Sequence, residues 1–326
     1  MKRFLIEALM LFAVCGAATA QFDGAVGTTG CKAIQYNDSR IVNWATSCTV
    51  YRGFYDIANN RTLASFGSDT VAIGPISASD ATNTMAAVSL GDSGVAVLTF
   101  ETPIADGEGP DFAVYENGFG DGFLELAFVE VSSDGQRYVR FPATSNTPTT
   151  SQVGSFANNM DPTLMNNLAG KYRIGWGTPF DLNELRDSAG LDINNITHVR
   201  LVDCIGTIDP QYCTYDAHGN IVNDPYPTAF NSGGYDLTGV AVLNQRSASI
   251  TVADLSNMKV FPNPCRDFVQ LSGMPIGEEY RIYDLCGKTV ATGICQSNSF
   301  CINTQALQQG VYVLKIGRVA KKIVKK

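Results

Sequence analysis

Histidine is nearly absent, with two in 326 residues. That leaves little room for an imidazole base, a Ser-His-Asp triad or a histidine-bound zinc ion. No two of the nine cysteines stand in a C-x-x-C spacing, which removes the common zinc and redox motifs. Charged residues make up only 17% of the chain while 45% is hydrophobic, so apolar area is ample for a core and disorder is excluded. The longest apolar run near the start, Phe4 to Val14, is broken by Glu7 and falls well short of the roughly 20 residues a membrane span needs. No long stretch has helical periodicity, and no repeat of solenoid length is evident. A formal net charge of −8 argues against nucleic acid as a partner.

What is present begins with the leader. Lys2 and Arg3 precede the apolar run, and Ala18-Thr19-Ala20 forms a small-residue cleavage signal. Residues 1–20 therefore read as a secretory signal peptide, with Gln21 opening the mature chain. Val14 stands before Cys15 where a lipid anchor would require a small residue. Export also changes how the remaining eight cysteines read, because an even number in an oxidising compartment favours disulfides. The simplest local pairs are Cys31–Cys48 and Cys204–Cys213.

Between 87 and 245 the chain is a series of short β candidates: 87–91, 94–101, 111–117, 124–135, 137–143, 197–206 and 234–244. Each is dense in β-branched and aromatic residues and bounded by turn signals such as Asp134-Gly135. Short helices are expected only at Pro162–Leu168 and Leu182–Arg186. Strands without alternating helices predict an all-β chain. The expected organisation is a jelly-roll-like β-sandwich over 21–250 and a small Ig-like β-sandwich over 251–326. Charge marks the same boundary: residues 21–251 carry eleven Lys and Arg against twenty-five Asp and Glu, whereas 252–326 carry ten against five.

Acids embedded among apolar strand residues are the most informative chemical feature. Strand parity puts Glu116 on a face with Phe112 and Val114, and Glu125 on a face with Ala127, Val129 and Val131. Glu130 falls on the opposite face with Leu126 and Phe128. A buried carboxylate needs an arginine, a hydrogen-bond cage or a cation. Asp111, Glu116, Asn117, Asp121 and Asp236 are the expected ligands of a structural calcium ion, the natural cation for such oxygens outside the cell. The competing arrangement pairs the acids with Arg137, Arg140 and Arg200. A glycosidase would instead need two carboxyls facing each other across a cleft, and Glu116, Glu125, Glu130 and Asp236 are the candidates. Trp44, Tyr172, Trp176, Tyr212 and Tyr215, in loop-rich stretches, are the expected ligand-stacking residues. Gly91-Asp92-Ser93-Gly94 has the wording of a serine-peptidase loop but reads as a simple turn between strands.

Two resemblances add to this reading. The tail carries Pro262-Asn263-Pro264, Asp267, Ile282-Tyr283-Asp284-Leu285, Gly287-Lys288, Gly310-Val311-Tyr312 and a basic end. In this it resembles the type A C-terminal sorting domain of the Bacteroidetes type IX secretion system. That resemblance implies passage across the outer membrane, followed by release or attachment at the surface. The segments 43–59, 89–119, 123–135, 166–182 and 230–244 resemble a Bacteroidetes cell surface protein family of unknown activity, with a galactose-binding-like sandwich. Its implied partners are the secretion machinery and an outer-membrane uptake receptor. The expected function is non-catalytic capture of a glycan or a small nutrient such as a corrinoid. A glycan-cleaving hydrolase and a structural adhesin are the competing readings.

Overall fold

The computed structural model describes residues 22–246 and 258–326, apart from 274–276, 278, 317 and 318. The leader and the expected domain junction lie outside the described residues. The chain divides into two compact units, Met1–Arg246 and Ser247–Lys326. The first contains β1 (Ile34–Gln35), β2 (Asn43–Trp44), β3 (Ser47–Tyr51), β4 (Phe54–Asp56), β5 (Asn60–Leu63), β6 (Val88–Ser89), β7 (Val95–Ile104) and β8 (Phe112–Glu116). It continues with β9 (Ala127–Ser132), β10 (Val139–Arg140), β11 (Thr144–Ser145), β12 (Met165–Asn166), β13 (Leu168–Ala169), β14 (Trp176–Phe180), β15 (Ile196–Asp203) and β16 (Asp236–Val242). No α-helix occurs among the described residues. The helix expected at 162–168 is only a 3-10 turn at Pro162–Leu164, capped by Asp161. The chain is extended again at Met165, and Asn167 takes a φ of 54°, which no helix tolerates.

The pairs β4-β5 and β11-β12 are separate two-stranded ribbons, and the other twelve strands form two six-stranded sheets. One runs β1-β14-β8-β16-β2 with β6 beside β16, and the other β10-β9-β15-β7-β3 with β13 beside β9. All of these pairings are antiparallel, as in Val199 opposite Leu98 on one side and Val131 on the other. The reason for the layering lies in the residues. Phe112 and Val114 of the first sheet and Leu98, Val129, Val131 and Leu201 of the second bury their side chains in one apolar cluster. Each buried Val or Leu contributes roughly 1.5–3 kcal/mol.

The outer faces are covered as well. Trp44, Ala113, Tyr115 and Ala241 form a second cluster, and Leu126, Phe128, Leu168 and Val222 a third. With both faces covered, every residue of β8, β9 and β16 is buried, so the alternation of a half-exposed strand disappears there. Antiparallel pairing also gathers chain ends. The end of β8 lies against the start of β16, with Glu116 opposite Leu237. Likewise the end of β15 lies against the start of β9, with Asp203 opposite Ala127. Polar residues at these four ends are thus set where the two sheets stop.

The second unit holds β17 (Lys259–Phe261), β18 (Phe268–Ser272), β19 (Glu279–Tyr283), β20 (Thr289–Ile294), β21 (Ser299–Asn303), β22 (Gly310–Ile316) and β23 (Val319–Lys325). They form the sheets β17-β18-β21 and β20-β19-β22-β23. Val269, Leu271, Ile282, Ile302, Leu314 and Ile323 make a core of their own. The all-β architecture expected from the sequence is the one observed.

Candidate ligand pocket

The five expected calcium ligands do not meet. Asp111 immediately precedes the five-residue β8 and Glu116 ends it, which separates them by about 17 Å at strand rise. Asp111 is satisfied by protein: the Gly107 N–H (2.8 Å) and Asn244 Nδ2 (3.0 Å) donate to Oδ1, and the Leu182 N–H (2.7 Å) to Oδ2. Its neighbours are Asp106 and Asp181, and one carboxylate oxygen from each of the three lies within 4.8 Å of the others. Asp121 is neutralised by Arg173, whose Nη1 lies 3.0 and 2.8 Å from its two oxygens. Only Glu116, Asn117 and Asp236 come together, and there Asn117 uses its amide N–H to donate to Asp236 (2.9 Å) and to the Thr84 carbonyl (2.8 Å).

Around Glu116 the sandwich end is unusually acidic. Glu116 is 1% exposed, Glu125 and Asp236 are each 6% exposed, and Asp92, Asp203 and Asp224 are also buried. Asp203 accepts from the Tyr235 and Ser93 N–H groups, and Asp224 from the Leu126 N–H. The Ser89 hydroxyl donates to Asp236. The Gly118 N–H donates to Glu116 Oε2 at 2.6 Å, but Glu116 Oε1 and the Tyr235 hydroxyl are buried without a hydrogen-bond partner. Among the described residues no group donates a hydrogen bond to Glu125. Arg52 contributes its charge to Asp236, yet its guanidinium donates to the carbonyls of Phe66, Ser89 and Gly67.

Protonation answers this crowding. Burial holds Asp236 up to about 7 despite its bonds from Ser89 and Asn117. Burial, then the charge of Asp236, raises Glu116 well above the carboxylate range. Burial raises Glu125 as well, reinforced by Asp236, Glu116, Asp224 and Asp203. Desolvation likewise lifts Asp203 to about 7 and Asp92 to about 8. Glu130 faces the other way and pairs with Arg140 (2.8 Å) and Arg200, two of the arginines that the sequence offered as partners for the acids.

This acidic end opens into a cavity of ≈290 Å³ with Asn117, Glu125 and Asp236 in its lining. Its walls include Phe119, Phe123, Phe156 and Phe230. Phe119 stacks on Phe123 at 3.9 Å and Phe156 on Phe230 at 5.5 Å. Phe156 is nevertheless 70% exposed and Phe119 56%, a poor use of large apolar rings unless something covers them. Three loops supply these walls, and sequence reasoning missed all four phenylalanines. The available signal was a phenylalanine set among Gly, Ser and Asn in FGDGF, SFANN and AFNSGG.

The expected stacking residues lie elsewhere. Trp44 is buried against Tyr115, ring centroids 5.4 Å apart. Trp176 opens β14 opposite Gln35. Tyr215 is exposed and Tyr212 half-buried on a separate loop. Tyr172 lines a different cavity of ≈450 Å³, with Asp23, Cys31 and Lys171. That cavity is larger, but Asp23, Lys171 and Glu184 in its lining already have protein partners. Lys171 lies 2.8 Å from Asp23, the Tyr172 hydroxyl also donates to Asp23, and Asn167 donates to Glu184. The Cys31–Cys48 and Cys204–Cys213 pairs are not formed, and all four are free thiols. Cys48 faces the inter-sheet core from β3 whereas Cys31 lines the Lys171 cavity. Cys204 is buried with Leu126 and Phe128, and Cys213 is half-buried.

Comparison with known proteins bears on location. Residues 259–326 match the secretion system C-terminal sorting domain. The chain therefore carries a type IX sorting tail and is a secreted or surface-attached protein. No curated protein matches the sequence. Among solved structures, PorZ, a surface component of the type IX secretion system of Porphyromonas gingivalis, is similar at 17% identity over 30% of this chain and 14% of that one (TM-score 0.22). A biofilm-associated protein BSP domain is similar at 11% identity over 71% and 48% (TM-score 0.20). A β-glucuronidase of Faecalibacterium prausnitzii is similar at 9% over 87% and 45% (TM-score 0.18). The chain spans less than half of each, and likeness at these scores assigns no activity.

Proposed function

We propose that the first unit is a non-catalytic binding module held outside the cell, capturing a small ligand in the phenylalanine-walled pocket for an outer-membrane uptake receptor. The observation that carries the reading is the pair of exposed phenyl stacks beside the Glu125 carboxyl, to which no described residue donates. A cavity of ≈290 Å³ is at the low end for small-molecule sites, about 300–1,000 Å³. It fits one sugar unit or a nutrient of that size, and a corrinoid only by an edge. Structural calcium is a separate proposal, with Asp106, Asp111 and Asp181 as its remaining footing, because the Asp106 Oδ1 atom is buried without a partner.

Equilibrium dialysis of the mature chain against an oligosaccharide panel and cyanocobalamin, with mass spectrometry of what is retained, tests the binding reading. Retention of an intact ligand that is lost when Phe156 and Phe230 are both changed to Ala supports it. Failure to retain any of them overturns it. One observation favours a hydrolase as second reading: Glu125, raised well above the ordinary carboxylate range by burial, shares the pocket with Asp236 at about 7, and a general acid requires such a raised carboxyl. Cleavage of 4-nitrophenyl glycosides by the native chain, abolished by Glu125→Gln, would replace capture with catalysis.

A further inference from the structure

Resting on the binding reading, we propose that the pocket selects ligands that carry a cationic amine beside a small apolar face. The ammonium group is held by Glu125 and Asp236, and the apolar face lies against the phenyl stacks.

Three observations carry this. First, Glu125 is 6% exposed, lines the cavity, and accepts no hydrogen bond from any described residue. A buried carboxylate in that condition is strongly unfavourable until a donor reaches it. Second, the charges that face it are of one sign. Glu116, Asp203, Asp224 and Asp236 all act on Glu125, and the nearby cation Arg52 is engaged with backbone carbonyls. A neutral hydroxyl would satisfy one oxygen and leave the field as it was, whereas an ammonium brings up to three donors and a positive charge. Third, the walls suit a cation, since the faces of aromatic rings attract one and desolvation strengthens that attraction.

A metal ion is the obvious rival, and the spacing disfavours it. Calcium draws its oxygens to 2.3–2.6 Å, so three carboxylates on one ion lie within about 5 Å of each other. Among the described residues, the acids gathered that closely are Asp106, Asp111 and Asp181, not Glu116, Glu125 and Asp236. Carboxyls set wider apart are better bridged by an organic cation donating several hydrogen bonds in different directions.

The arrangement also fixes the sign of the pH dependence. The empty site holds protons near neutrality, with Asp236 at about 7, and an ammonium ligand needs the ionised form. Binding therefore releases protons, and affinity rises as pH increases through the neutral range.

Titration calorimetry of the mature chain with phenethylamine and with 2-phenylethanol tests the proposal, because the two share a body and differ in the head. The amine is expected to bind about ten-fold tighter near pH ~8, the difference between a charge-assisted and a neutral hydrogen bond. The gap should narrow toward pH ~6, with proton release seen by comparing buffers of unequal ionisation enthalpy. Glu125→Gln should abolish the gap. The wild-type comparison does not depend on any variant folding. Equal binding of amine and alcohol, a gap that ignores pH, or no saturable binding of the amine overturns the cation preference. If the amine fails while a sugar or cyanocobalamin is still retained in dialysis, the binding reading stands without it. If all fail, both fall.

Discussion

At the scale of single residues, the acids of the sandwich end set how stability depends on pH. Burial raises Asp111 to about 6, Asp203 and Asp236 to about 7 and Asp92 to about 8, against about 4 for an unfolded aspartate. Between these values the folded chain holds protons that the unfolded chain has released, so stability falls as pH rises from about 4 to about 8. Asp23 works in the opposite sense. Burial opposes its ionisation, but hydrogen bonds from Lys171 and Tyr172 more than offset this and lower its pKa, giving stability that is lost in acid. More groups pull the first way, so the melting temperature of the ligand-free chain should be higher near pH ~5 than near pH ~8. Glu125→Gln loses no hydrogen bond and should raise it mainly at the higher pH. A curve that is flat or rising between the two would show that these acids are ionised and compensated in the native state. Part of this was legible in the sequence, since period-two parity set Glu125 and Glu130 on opposite strand faces and required at least one of the glutamates to point inward, but it did not say which face was the core. The phenylalanine walls were not, because they come from loops that only the strand topology brings together.

At the scale of elements, the strands that hold the pocket depend on one tight crossing. Gly170 follows β13 with a φ of +87°, and a Cβ there would lie 1.8 Å from the Glu125 carbonyl oxygen. Neither the backbone angle nor the space allows a side chain. Gly170→Ala should therefore destabilise the first unit by about 2 kcal/mol or more and displace Glu125 from the cavity. Urea unfolding within about 0.5 kcal/mol of the parent would show that the crossing is looser than it looks. Leu98→Ala, at the centre of β7 with its side chain between the sheets, should cost about 2–5 kcal/mol without touching the pocket, separating core stability from site geometry. The same elements show what patterning can reveal. The strands β7, β8, β9, β15 and β16 were visible as runs of β-branched and aromatic residues ended by turn signals. The stretch before residue 87 was read as loop, yet it contains β1 to β5. These have only two to five residues each, too few for a period to declare itself; β1, β2 and β3 pair with the longer strands β14, β16 and β7, and β4 and β5 with each other.

At the scale of the whole molecule, two units have separate cores, and the sorting tail lies wholly in the second. The first keeps its apolar residues to itself around Leu98, Phe112 and Val129, and the second around Val269, Ile282 and Leu314. Their charge is opposed too, with twenty-five acidic against eleven basic residues in 21–251 and five against ten in 252–326. The match to the sorting domain is confined to 259–326, so it shares no residue with the phenylalanine-walled pocket. Removing 247–326 should then leave a first unit that unfolds at the same urea concentration as in the full chain, since m and midpoint follow the surface that unit itself buries. In cells the truncated chain should be trapped in the periplasm, because the leader expected over 1–20 would carry it across one membrane while the sorting tail that directs passage across the second is gone. Fractionation after truncation, with proteinase accessibility on intact cells, reads this directly. Truncated protein on the surface or in the medium would mean that residues before 247 also carry an address. A large fall in the unfolding midpoint would mean instead that the acidic unit draws stability from the basic tail.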